Sequence, residues 1–175
     1  VKAVFATFLP GMAGAKALSD MIAGEVNPSG KLTITFPERI EDMPTYMNFP
    51  GDGYHVSYGE GIYVGYRYYD KKKLRPRYPF GYGLSYTTFD CRLIDAAVDG
   101  DTIKVHTSVE NTGKAAGSEV VQIYIHDPYS TLSKPEKELK AFEKVMLAPG
   151  EKKDVTFTIA RSSLASYDMD LGQFT

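Results

Sequence analysis

Residues 58–89 read YGEGIYVGYRYYDKKKLRPRYPFGYGLSYTTF, and the fold turns on how this stretch is read. Ten of the thirteen tyrosines lie between Tyr46 and Tyr86, so the aromatic load is concentrated in one segment rather than spread through a core. A tyrosine has a large apolar ring and one polar tip, which suits a surface dry on one side and wet on the other. Such a segment between two domains predicts cement between them, or the wall of a cleft. Tyr63, Tyr66, Tyr68 and Tyr69 keep no clean helical period, and their aromatic and β-branched company predicts extended backbone. Lys71, Lys72, Lys73, Arg75 and Arg77 follow as a solvated basic loop, and Gly81 and Gly83 mark a turn.

Outward from this stretch the two flanks differ. On the N-terminal side, Val4, Phe5, Phe8 and Leu9 make VKAVFATFL apolar on both faces, which predicts a doubly covered strand of a parallel sheet. Pro10 and Gly11 end it. Ala17, Leu18, Met21 and Ile22 at helical spacing predict a helix over 13–23, with Gly24 as its C-cap. Asn27-Pro28-Ser29-Gly30 reads as a turn. Leu32, Ile34 and Phe36 alternate as a half-buried strand, and Pro37 to Gly53 reads as loop. Gly11-Met12-Ala13-Gly14 lacks both the three-glycine dinucleotide fingerprint and the lysine and hydroxyl of a phosphate loop.

On the C-terminal side the period changes to two. Phe89 to Val98 predicts a strand, and Asp99-Gly100 a hairpin turn. Ile103, Val105, Thr107 and Val109 put one face inward. Val121, Ile123 and Ile125 alternate with polar neighbours, Leu139 to Leu147 reads as a bent strand, and Val155, Phe157 and Ile159 form another inward face. Short strands at this spacing predict an antiparallel sandwich. Ser163 to Asp170 reads as a short connection.

Three segments carry a resemblance to a known family. EGIYVGYRYYD followed by YPFGYGLSYTTF resembles the junction of the glycoside hydrolase family 3 enzymes of β-glucosidase type. PGMAGAKALSDMIAGEVNPSGKLTITFP resembles the end of that family's α/β sandwich domain, and PEKELKAFEKVMLAPGEKKDVTFTI its C-terminal fibronectin type III-like domain. The fold class implied is an α/β sandwich fragment followed by an all-β, immunoglobulin-like sandwich. The division expected is 1–57 for the end of the α/β domain, 58–88 for the junction, and 89–175 for the fibronectin-like domain without its last strand. Where the family usually has a polar and an acidic residue after Pro-Gly, this chain has Met12 and Ala13.

The resemblance implies a C-terminal piece of a retaining, exo-acting β-glycosidase. That chemistry uses two carboxyl groups, one as nucleophile and one as acid/base, and needs no metal or organic cofactor. In the family the nucleophile is an aspartate of a separate barrel domain, and the acid/base a glutamate upstream of the segment matching Val1. No residue here matches either, so no catalytic residue is named and the chain alone is expected to be inactive. Asp52, Glu60 and Asp70 are the acids near the tyrosines, and each is read as a loop or structural acid. His55, His106 and His126 lack the spacing of a metal site. The partners implied are a β-linked glucoside or related glycoside, taken by the complete enzyme, and the barrel domain of the same protein. The alternative reading is a carbohydrate-binding module with tyrosines as stacking platforms, or an adhesion-type sandwich.

Composition limits other classes. A hydrophobic share of 43% and a charged share of 24% are ordinary for a globular protein. A net charge of −2 gives no electrostatic case for nucleic acid or an anionic membrane. Cys91 is the only cysteine, so these residues form no disulfide among themselves.

Overall fold

The computed structural model describes residues 2–175. Its elements are α1 (Gly14–Ala23), α2 (Tyr66–Lys72), β1 (Phe89–Asp99), β2 (Thr102–Asn111), β3 (Gly117–Ile125), β4 (Glu138–Leu147), β5 (Lys152–Ala160), β6 (Tyr167–Asp168) and β7 (Gln173–Phe174), with 3-10 turns at Ile40–Asp42 and Arg161–Leu164.

The C-terminal half is a two-sheet antiparallel sandwich. One sheet runs β1-β2-β5 and the other β3-β4, while β6 and β7 pair separately. The β1–β2 hairpin turns at Gly100, whose φ of 57° needs a residue without a Cβ. Alternation then does what the pattern predicts. Val105 and Val109 of β2, and Val155, Phe157 and Ile159 of β5, point inward onto Val121 of β3 and Val145 and Leu147 of β4. Each such burial stabilises by roughly 1.5–3 kcal/mol. The bend expected in Leu139 to Leu147 is a bulge, where the ladder steps from Ile123↔Ala141 to Tyr124↔Leu139 and leaves Lys140 unpaired.

The sandwich is covered unevenly. β2 lies against β3 and β5 against β4, while the main contacts of β1 are with β2. Leu93 and Val98 pair with Thr107 and Ile103 on the inward face of β2, yet both remain 66% exposed.

The N-terminal half is less regular, and three expectations are corrected there. Residues 2–9 form no strand, and Val1 lies outside the described residues. A strand exists through its ladder, and among the described residues none runs beside this segment. Leu32 to Phe36 bends at Thr33 and Ile34 and holds only an isolated bridge, Phe36 to Tyr78, with backbone bonds between Leu32 and residues 81–82. Residues 27–30 form no turn, and the Asn27 side chain bonds to distant residues, as described below. Helix α1 and the left-handed Gly24 that caps it (φ 79°) are where the spacing puts them.

The largest correction falls on the tyrosine segment. Tyr66 to Lys72 is helical, not extended. Gly65 enters it with φ 57° and Lys73 leaves it left-handed, its N–H bonding back to the carbonyl of Asp70. Tyr66, Tyr69, Asp70 and Lys73 thereby fall on one face, at helical spacings of three and four. Tertiary packing of that face outweighs the aromatic preference for strands.

Candidate functional site

The site is the junction itself, built where α2 meets the start of β4. The Tyr66 ring stacks on Phe80 with centroids 5.0 Å apart, and meets Tyr124 of β3 edge-on at 5.9 Å. Its hydroxyl accepts a hydrogen bond from the Leu139 N–H at 3.0 Å. Tyr69, one turn along, is buried, and Tyr68 packs edge-on against it at 5.5 Å. Burial pushes the Tyr69 and Tyr124 phenols above their usual titration range.

Charge sets the register of the helix. Arg67 pairs with Glu138 at 2.9 Å, Asp70 with Lys137 at 3.2 Å, and Lys73 with Glu136. Residues three apart on α2 thus meet consecutive residues of the chain entering β4, with alternating sign. A slide of one turn would bring like charges together. The Lys73 ammonium, by hydrogen bond and charge, holds the Glu136 carboxyl below its ordinary range.

Other ties run in parallel. Lys31 and Glu119 form an ion pair at 2.7 Å, with only 16% and 14% of their side chains exposed. The Asn27 amide donates to the Ala116 carbonyl at 2.9 Å, and its oxygen accepts from the Ser85 hydroxyl and the Tyr86 N–H. The Tyr86 hydroxyl donates to the Met21 carbonyl at the end of α1. Gln122 donates to the Gly81 carbonyl. Asn111 is fully buried: its amide donates to the carbonyls of Ala115 and Leu147, and its oxygen accepts from the Thr87 hydroxyl and the Gly113 N–H. Nothing in the sequence pattern singles out Asn111 or Asn27, because each also bonds to residues far along the chain, Asn111 to Thr87 and Leu147 and Asn27 to Ser85, Tyr86 and Ala116.

Two cavities flank α2. The first, about 90 Å³, lies among Tyr66, Tyr69, Phe80, Tyr124, Asp70 and Lys137. The buried Asp70 Oδ2 has no protein partner. The second, about 210 Å³, is lined by Pro44, Asn48, Gly59, Glu60, Tyr63, Tyr68, Lys71 and Lys72. The three acids near the tyrosines are kept apart by this arrangement. Asp70 lines the first cavity and Glu60 the second. Asp52 closes its own loop, accepting from the N–H groups of Tyr54 and His55, which hold its carboxyl below the usual range. Among the described residues no three His, Cys, Asp or Glu side chains cluster closely enough to hold a metal. His106 sits on the sheet surface with a ring nitrogen 2.9 Å from the Thr156 hydroxyl. Among the described residues no helix is long and apolar enough to cross a membrane.

Two family models match the chain, the first of them running through most of this junction. The glycosyl hydrolase family 3 C-terminal domain matches residues 1–86, and the fibronectin type III-like domain matches residues 119–175. The chain belongs to glycoside hydrolase family 3. Within family 3 it is similar to the thermostable beta-glucosidase B of Acetivibrio thermocellus, with 49% identity over 175 residues, covering 98% of this chain and 23% of that protein. A beta-glucosidase of Bacteroides ovatus is 47% identical over 167 residues, covering 90% and 22%. Among solved structures, the beta-glucosidase from Kluyveromyces marxianus in complex with glucose superposes with a TM-score of 0.88 at 45% identity, over 92% of this chain and 19% of that one. The beta-glucosidase 3B from Thermotoga neapolitana gives 0.83 at 46% identity, over 89% and 22%. The chain therefore spans about a fifth of the length of these family 3 relatives. The fold class expected from the sequence, an α/β portion of this family followed by a fibronectin-like sandwich, holds.

Proposed function

We propose that this chain is the scaffold and cleft-completing part of a retaining, exo-acting β-glycosidase that acts on β-linked glucosides, with both catalytic carboxyl groups outside these residues. Retaining hydrolysis needs two carboxyl groups about 5–5.5 Å apart across one sugar. Here the nearby acids are each committed or isolated: Asp70 to Lys137, Asp52 to its own loop, Glu60 alone on a pocket rim. The observation that carries the reading is the junction: tyrosine rings and a charge ladder spent on holding the two parts together, in a chain a fifth the length of beta-glucosidase relatives.

The partner this reading requires is the barrel domain of the same protein. Tyr46, Met47, Phe49, Tyr54, Val56 and Tyr58 are all exposed in one loop region, an apolar surface that suits such a neighbour. The division into 1–57, 58–88 and 89–175 belongs to the same proposal. β1 begins at Phe89, and α2 lies within the middle segment.

The test is a chimera. This chain replaces the corresponding residues of the Acetivibrio thermocellus relative, and hydrolysis of an aryl β-glucoside is measured for the chimera and for the chain alone. The proposal expects turnover by the chimera and none by the chain. Turnover by the purified chain, surviving a check for contaminating enzyme, contradicts it, as does a folded but inert chimera.

A further inference from the structure

We propose that the pocket between Tyr63, Tyr68, Asn48 and Glu60 binds a single pyranose ring. The choice of a sugar rests on the glycosidase reading; the pocket does not. Its rings are fixed in advance. The Tyr63 hydroxyl is 2.7 Å from the Ser133 hydroxyl of the sandwich, and Tyr68 is braced edge-on by buried Tyr69. Rings held this way lose little freedom when a ligand arrives.

The polar lining is uncommitted. Among the described residues the side chains of Asn48, Glu60, Lys71 and Lys72 make no hydrogen bond or ion pair, although the Lys71 ammonium lies 5.4 Å from the centre of the Tyr63 ring. On the same helix Arg67 and Asp70 are paired, as is Lys73 just past its end. A helix that pairs those charges and leaves two beside a cavity has donors to spare there.

The ligand class follows from the mixture. Glu60 accepts from hydroxyls, the two ammonium groups donate, and the Asn48 amide does both. A polyol ring offers both donors and acceptors, and its C–H faces lie against tyrosine rings. An anion would meet Glu60, and a cation would meet Lys71 and Lys72. A plain aromatic ring would leave all four polar groups unpaired. The volume of about 210 Å³ is below the roughly 300–1,000 Å³ of drug-sized sites, so it admits one ring and not two.

The experiment uses the chain with ¹³C-labelled tyrosine rings, titrated with methyl β-D-glucopyranoside, and separately with inorganic phosphate and methylammonium. The expected result is saturable shifts confined to Tyr63 and Tyr68, with a Kd on the order of millimolar. Glu60→Gln and Asn48→Ala each weaken binding by roughly tenfold, the worth of one hydrogen bond involving a charged group or of an amide lost with its partner. Tyr54→Ala, on an exposed ring outside the pocket, leaves binding unchanged. No saturable shift while the Tyr66 and Tyr69 signals remain those of folded protein overturns the proposal, and so does saturation by phosphate or methylammonium instead. If the chain binds no sugar while the chimera still cleaves aryl β-glucoside, this inference falls and the glycosidase reading stands. If the chain binds sugar while the chimera is folded and inert, the pocket stands and the glycosidase reading falls.

Discussion

The Tyr66 ring of α2 meets the Tyr124 ring of β3 edge-on, with centroids 5.9 Å apart and planes at 89°. Those two residues are 58 positions apart and lie on either side of the boundary between the irregular half and the sandwich. An edge-to-face pair is worth about 0.5–1.5 kcal/mol beyond the area it buries. Tyr66 adds a stack on Phe80 and an accepted hydrogen bond from Leu139, so one side chain ties α2 to both β3 and β4.

Replacing it separates ring from hydroxyl. Tyr66→Ala removes both aromatic contacts and should cost about 3 kcal/mol in denaturant-derived stability, near the lower end for aromatic truncations because the ring is only half-buried. Tyr66→Phe removes the acceptor alone and should cost about 1 kcal/mol. Equal losses from the two variants would mean that the ring contributes nothing.

The Lys31–Glu119 pair should behave as a buried one. Glu119→Gln leaves the Lys31 ammonium with no counter-charge and only the Gly83 carbonyl at 3.1 Å, and should destabilise by about 3 kcal/mol. Adding Lys31→Met should recover most of that loss, because an apolar side chain of similar length needs no partner. If the double variant is no more stable than the single one, the pair is not the cause.

Asn111→Ala should be the most damaging change of a polar residue. It strands the Leu147 carbonyl and the Thr87 hydroxyl in a buried site, and unpairs the Ala115 carbonyl and the Gly113 N–H in a part-buried one. Each stranded buried group costs about 1–3 kcal/mol, so the expected loss is at least 3 kcal/mol. Thermal melting of the variant reads it directly.

Acid should loosen the molecule in a defined window. Asp99, Asp127, Glu136 and Glu151 all titrate below their ordinary values. The causes are the Lys104 ammonium, the Lys134 ammonium, the Lys73 ammonium and the Ala148 N–H, respectively. A carboxyl whose folded pKa is depressed stabilises the fold above its unfolded pKa, near 4, and loses that contribution as pH falls through the folded value. The denaturation midpoint should therefore be level from about pH 7 down to about pH 5 and decline below about pH 4. These groups are exposed, so added salt should flatten the decline.

The sandwich was legible because alternation is local. Val105, Val109, Val155, Phe157 and Ile159 announce their faces, and Asp99-Gly100 announces the hairpin, without reference to the rest of the chain. Tyr66 to Lys72 was not legible, because its helical face is defined by Phe80, Tyr124 and the charges at 136–138, none of which lie nearby in sequence. Val4 to Leu9 looks like a strand in composition, but a ladder needs a second chain segment, and composition does not supply one. The expectation that tyrosines join the two halves holds for Tyr63 and Tyr66, while Tyr86 ties back to Met21 within the N-terminal half and Tyr54 and Tyr58 stand about 90% exposed. The pocket residues Asn48 and Tyr68 come together only once α2 has formed.

The central claim is that this junction makes one cooperative unit of the two halves, and hydrogen exchange across a denaturant series tests it most directly. The amides of Leu32 and Gly81 report on the N-terminal half, Leu139 on the junction, and Val109 and Phe157 on the sandwich. The account predicts one shared opening free energy for all five in the unmodified chain, and two separate values after Tyr66→Ala. Two separate values already present in the unmodified chain would contradict it.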